Sequence, residues 1–220
     1  LLEKMNKERV KEIKNIYGSI KNKIEERLEE FEKLWKNGRE EDILAELFFC
    51  LLTPQSKAKI CWNAILAIKN KNLLLDGSKE EIIPMLKGVR FKNKKAEYIV
   101  DARKIFTNDG KVKIRSMLEK FKDAYEAREW LVKNVKGMGY KEASHFLRNI
   151  GKGKNLAILD RHILKNLYLL GIINEIPSSI SGKKYIEIEN KMRKFAKKIN
   201  IPLAHLDLVL WYKETGEIFK

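Results

Sequence analysis

Apolar residues recur at steps of three and four from Val10 through Ile13, Tyr17, Ile20, Ile24, Leu28 and Phe31 to Trp35. That spacing keeps one face of a helix apolar and predicts a single long amphipathic helix, with Gly18 as its candidate interruption. The same periodicity predicts helices over about 40–53, 57–70, 79–87, 94–107, 123–135, 140–150, 161–170, 183–199 and 203–214. Ser78 with Glu81 and Asp123 with Glu126 have capping-box spacing and mark two of the starts. Pro84 falls inside the 79–87 stretch, so that helix should be short or kinked. No run alternates apolar and polar residues as a half-buried strand does. The expectation is an all-α chain folded as two helical lobes around a cleft, residues 1–220 forming one unit with no linker to place the lobe boundary.

Between the helices at 123–135 and 140–150 lies a hairpin of four or five residues carrying Gly137-Met138-Gly139. Together they make a helix-hairpin-helix over about 123–150. Glycines let backbone N–H groups approach a phosphate closely, and the following helix N-terminus adds partial positive charge. Ordinary turns use the same residues, so the neighbours decide. Lys141 opens the second helix, where the dipole disfavours an ammonium and Lys133 and Lys136 push the same way. A lysine so placed is a candidate amine nucleophile for Schiff-base chemistry. Asp160 comes 19 residues later, in Ala157-Ile158-Leu159-Asp160-Arg161-His162. An apolar entry there delivers a carboxylate to a helix start, the position of an N-cap as well as of a site residue.

Charge adds a partner class. The 220 residues carry 46 Lys+Arg against 30 Asp+Glu, a formal charge of +16. Residues 1–41 hold 11 basic and 10 acidic side chains, for +1, whereas 133–165 hold 8 and 2, for +6. Two further basic strips run through Lys87, Arg90, Lys92, Lys94 and Lys95 and through Lys57, Lys59, Lys69 and Lys71. Such strips fit a polyanion-binding face, and equally a solvated lysine surface. The two cysteines, Cys50 and Cys61, are too few for a four-thiolate metal site, and their apolar surroundings suggest buried thiols. No apolar stretch approaches the roughly 20 residues that span a bilayer, and no signal peptide is apparent, so a cytoplasmic protein is expected.

Taken together, Lys136-Gly137-Met138-Gly139-Tyr140-Lys141 followed at this spacing by Asp160 resembles the helix-hairpin-helix DNA glycosylases. Within that superfamily the runs Gly139 to Asn149, Asp160-Arg161-His162-Ile163-Leu164, Arg90-Phe91 and Lys95 to Val100 look like those of archaeal-type 8-oxoguanine DNA glycosylase/lyases. So does the tail from Leu206 through Trp211-Tyr212 and Thr215-Gly216 to Lys220. The likeness runs from about residue 20 onward. Four C-terminal cysteines, which hold an iron–sulfur cluster in other branches, are missing here, which favours the cluster-free oxidised-guanine branch.

The resemblance implies a bifunctional glycosylase and abasic-site lyase in which Lys141 is the nucleophile and Asp160 the electrostatic partner. It further implies that Gln55 enters the base stack, that Phe91 and Trp211 sandwich the flipped base, and that Lys220 contributes to discrimination. Gly137, Gly139 and His162 would contact DNA phosphate. The backbone carbonyls of Lys133, Val135 and Met138 would seat a structural cation, with no cofactor for catalysis. The implied partner is double-stranded DNA carrying 8-oxoguanine or abasic sites, met by a monomer in a prokaryotic cytoplasm, at the nucleoid. A glycosylase for oxidised pyrimidines and a non-catalytic DNA-binding module stay open as alternatives.

Overall fold

The structure, a computed structural model, describes residues 6–220; the first five residues of the unit lie outside the described residues. Helix α1 runs unbroken over Lys7–Asn37. Gly18 does not interrupt it: its Cβ position faces open space, and one exposed glycine costs a long helix only about 1 kcal/mol. After α1 come α2 (Glu40–Leu52), α3 (Ala58–Asn70), the four-residue α4 (Lys79–Ile82) and a 3-10 turn at Ile83–Met85. Pro84 in that turn ends α4 early, as its missing N–H requires. The chain continues through α5 (Lys92–Phe106), α6 (Ile114–Leu118), α7 (Ala124–Asn134), α8 (Tyr140–Asn149), α9 (Arg161–Leu169), α10 (Gly182–Ile199) and α11 (Leu203–Thr215).

Two local features depart from the sequence pattern. A two-stranded antiparallel ribbon pairs β1 (Thr107–Asn108) with β2 (Lys111–Val112) across Asp109 and Gly110, both at positive φ. Asp-Gly is a strong hairpin dipeptide, but each strand is too short to alternate visibly. Helix α6 likewise has only five residues, too few to show a period.

The helices build two cores. The first holds Ile43 to Leu52 of α2, which is buried all round, with apolar residues of α3, α5, α6, α7 and α8. The second holds α9, α10 and α11 with Ile13, Ile20 and Ile24 of α1. Leu156 belongs to the first core and Ala157 to the second, so the chain changes lobe just before Asp160. Helix α1 serves both lobes, since Leu34 and Trp35 near its end pack on the first. Cys50 and Cys61 are buried and free, and burial pushes the Cys61 thiol up to about 11.

Candidate active site

The hairpin is built from α7, five connecting residues Val135 to Gly139, and α8. Asp123 caps α7 by accepting from the Tyr125 and Glu126 N–H groups. The reciprocal carboxylate of Glu126 takes the Lys122 N–H at 2.7 Å, one residue before the cap. Gly137 has φ +80°, and a Cβ there would fall 2.3 Å from the Tyr98 ring, so conformation and space both demand glycine. Gly137 and Gly139 are exposed, as a phosphate clamp needs. The Gly139 N–H, however, is taken by Glu142 Oε2 at 3.2 Å, so it is engaged within the hairpin rather than open to a phosphate.

Lys141 sits in the first turn of α8, its side chain 23% exposed. Its Nζ lies 2.9 Å from Glu142 Oε1 and donates to Thr53 Oγ1 at 3.3 Å. Thr53 can accept because its own hydroxyl hydrogen goes to the Cys50 carbonyl at 2.8 Å. Lys136, expected to crowd Lys141, pairs instead with Asp101 at 3.0 Å. The basic strips are altered too. Lys95 is buried, and Lys59 and Lys69 are neutralised by Glu217 and Asp42, both at 2.7 Å.

Asp160 is the N-cap of α9, Oδ1 accepting from Ile163 N–H at 2.8 Å. The segment leading to it, residues 156–159, is irregular, turning tightly where Asp160 N–H bonds Ile158 O at 2.8 Å, and has no strand beside it. Side chains replace the missing ladder: Ala157 N–H donates to Glu189, Ile158 N–H to Asp207 and Leu159 N–H to the Tyr185 hydroxyl, at 2.8, 3.2 and 3.1 Å. The Tyr185 hydroxyl in turn donates to Ala157 O at 2.7 Å. Burial pushes Asp207 up to about 6, with the nearby Asp160 charge adding to the rise and Arg148 opposing it.

The remaining candidates each have surroundings of their own. Gln55 is exposed in the loop between α2 and α3 at φ 55°. Phe91 is 59% exposed at φ 57°, its ring 5.5 Å from the Arg90 guanidinium. Trp211, half-buried on α11, meets the His162 ring edge-on at 5.4 Å, and its buried Nε1 has no hydrogen-bond partner. His162 Nδ1 is 3.7 Å from Glu214. Lys220 pairs with Glu46 and sets its ammonium 3.7 Å from the Trp62 ring centroid. Its charge is thus engaged inside the protein. Glu142 follows Lys141 directly and stands at capping-box spacing from Gly139, a signal the sequence carries, whereas nothing local marks Thr53, Glu46 or Trp62 as partners. Among the described residues no three His, Cys, Asp or Glu side chains cluster as a metal site would need.

The model of one family, 8-oxoguanine DNA glycosylase, matches residues 24–201. The chain belongs to that family. It is 49% identical over 209 residues to the 8-oxoguanine DNA glycosylase/AP lyase of Fusobacterium nucleatum, covering 95% of this chain and 96% of that protein. Among solved structures, the 8-oxoguanine DNA glycosylase of Thermotoga maritima superposes with a TM-score of 0.87 at 38% identity, covering 97% of this chain and 99% of that one. The Methanocaldococcus jannaschii 8-oxoguanine glycosylase/lyase, solved in complex with a 15mer DNA containing 8-oxoguanine, gives 0.87 at 41% identity, covering 96% and 99%. Helix-hairpin-helix topology, all-α fold and family membership therefore agree.

Proposed function

We propose that this protein is a bifunctional DNA repair enzyme that flips 8-oxoguanine out of duplex DNA, excises it through a lysine Schiff base and cleaves the strand. The observation that carries the reading is Lys141, a partly shielded lysine at the glycine hairpin, in a chain similar over nearly its whole length to 8-oxoguanine DNA glycosylase/AP lyases. A base inside a duplex is out of reach of either Lys141 or Asp160, so the nucleotide must be extruded. Gln55, the exposed tip of its loop, fills the gap, while Phe91 and Trp211 stack on the base, worth roughly 1–3 kcal/mol each. Lys220 contributes to discrimination from the Trp62 and Phe49 side.

The Asp160 carboxylate stabilises positive charge on the sugar as the bond from C1′ to the base weakens. Unprotonated Lys141 Nζ attacks C1′ and the base leaves with the bonding pair and is protonated; the C1′–O4′ bond then opens, O4′ taking a proton, and an iminium forms. Glu142 Oε1, at 2.9 Å, is an acceptor within reach of the proton Lys141 must shed. Loss of a C2′ proton then expels the 3′ phosphate by β-elimination. Gly137, the α8 N-terminus and His162 hold DNA phosphates, with the protein acting as a monomer on nucleoid DNA.

The carbonyls of Lys133, Val135 and Met138 suit a structural cation. They are neutral hard oxygens at one turn, and Val135 O, although it accepts Met138 N–H at 3.2 Å, keeps a second lone pair. Such an ion supplies a fixed positive charge against the DNA backbone.

The test is incubation with duplexes carrying a single 8-oxoguanine or a single thymine glycol, with and without borohydride. The reading expects cleavage and covalent trapping at 8-oxoguanine. Preference for thymine glycol would move it to oxidised pyrimidines, and binding without cleavage would leave a DNA-binding module.

A further inference from the structure

Five non-glycine residues among those described have positive φ: Gln55, Asn72, Phe91, Asp109 and Asn200. Asn and Asp tolerate the left-handed region because their short polar side chains bond locally, whereas glutamine and phenylalanine gain nothing there. The two residues without that excuse are the pair assigned to the gap and to the base. Backbone strain of this kind, about 1 kcal/mol or more per residue, persists only where the surroundings over-determine it.

Lys95 is what surrounds both. It lies on α5, only 4% exposed, on the apolar face shared with Ile99, Ala102 and Phe106. Its ammonium has three N–H bonds and three acceptors: Leu52 O at 2.7 Å, Pro54 O at 2.6 Å and Ser56 Oγ at 3.1 Å. These acceptors bracket Gln55. Ser56 Oγ also takes the backbone N–H of Arg90 at 3.0 Å, the peptide next to Phe91. Lys95 N–H meanwhile closes on Phe91 O at 3.0 Å. One buried cation and one hydroxyl therefore connect the loop of Gln55 to the turn of Phe91. Thr53, in the same loop, is the residue that Lys141 touches. A lysine kept in a core where leucine would pack, its pKa brought down to about 8 by burial, needs such a reason.

We propose that Lys95 is a positioning residue that locks the Gln55 loop and the Phe91 turn into one unit, so that filling the gap and capturing the base happen as one event. The inference rests on the roles given above to Gln55 and Phe91. Without the lock each strained residue relaxes separately, and the extruded base is held less often.

The experiment measures two single-turnover rates, excision from an 8-oxoguanine duplex and β-elimination at a preformed abasic site, which has no base to capture. Ser56→Ala removes the shared acceptor without touching the core, and Lys95→Met removes the cation while filling its space. Both should slow excision by about tenfold or more, the equivalent of one or two lost hydrogen bonds, and change abasic cleavage far less. In a Gln55→Ala/Phe91→Ala background Lys95→Met should add little, because coupled residues are non-additive. Equal losses on both substrates, or a full additive loss in that background, would overturn the proposal, as would wild-type excision by Ser56→Ala. If Gln55→Ala and Phe91→Ala themselves excise normally, the base-capture assignment falls first, a signature distinct from failure of Lys95 alone. Should Lys95→Met not fold, Ser56→Ala decides.

Discussion

Arg128 of α7 and Glu189 of α10 form a two-pronged ion pair, 2.8 and 3.0 Å, with each side chain at most 2% exposed. Arg128 also donates to Ser144 of α8 at 3.2 Å, and Glu189 accepts from Ala157 on the approach to Asp160. Both hairpin helices and the Asp160 segment thus share one buried contact. Removing either partner alone strands a charge in the core, so Arg128→Met or Glu189→Gln should cost about 3–5 kcal/mol, and replacing both with apolar residues far less. Denaturant unfolding of the two single variants and the double one checks this. Equal losses in all three would show that packing, not charge, holds the joint.

How far the sequence alone reaches follows from the range of each interaction. The glycine hairpin, Lys141 and the capping role of Asp160 are local and could be read from spacing. Arg128 and Lys95 carry a fainter signal, a charged residue at the helical phase of buried neighbours: Ala127 and Leu131 for one, Ile99 and Ala102 for the other. That phase implies a buried partner without naming it. Glu189 is 61 residues from Arg128, and the Leu52 and Pro54 carbonyls are 43 and 41 from Lys95. Lys95 belongs to the basic strip by charge, but its helical phase places it in the core. The side-chain ladder of Tyr185, Glu189 and Asp207 had no counterpart in the sequence pattern, since backbone N–H groups leave none.

Lys141→Gln leaves a polar, hydrogen-bonding side chain one atom shorter and removes the amine. Borohydride trapping on lesion DNA should vanish and strand cleavage with it, while binding in a mobility-shift titration changes little. Persistent trapping would assign the Schiff base to another lysine.

Asp160 does two jobs that substitution can separate. Asparagine caps helices as well as aspartate does, so Asp160→Asn should leave the melting temperature nearly unchanged and still lower excision by orders of magnitude through loss of the negative charge. Asp160→Ala should lose activity equally and in addition about 1 kcal/mol of stability. A stable, active Asp160→Asn enzyme would remove the electrostatic role.

Asp207 makes stability depend on pH in a direction opposite to most carboxylates. Its value rises from 3.8 to about 6 on folding, mainly through burial. Between those limits the folded state holds more protons than the unfolded one. The stabilisation is therefore fully present below about pH 4 and is lost as pH climbs through 6, by about 3 kcal/mol at 1.36 kcal/mol per unit. Asp207→Asn keeps an acceptor for Ile158 N–H and should flatten that slope. A pH profile of unfolding unchanged by Asp207→Asn would show that another group is responsible.

Lys220 tests whether the last residue acts through its charge or through what its charge anchors. The ammonium pairs with Glu46, itself 3% exposed, and lies against Trp62, so it fastens the tail beside α2 and α3. Lys220→Met retains the contact with Trp62 and leaves the Glu46 carboxylate facing an apolar end. Glu46 still has Asn149 Nδ2 at 3.1 Å, which limits the damage to the core. The variant should therefore melt lower, though by less than loss of Arg128 does because Lys220 is itself partly exposed, and lose selection for 8-oxoguanine over guanine, with β-elimination at abasic sites nearly intact. Because the anchoring needs opposite charges, Glu46→Gln should reproduce the selectivity loss, and adding it to Lys220→Met should bring little more. Equal losses on damaged base and abasic site would instead make the tail a general part of the fold.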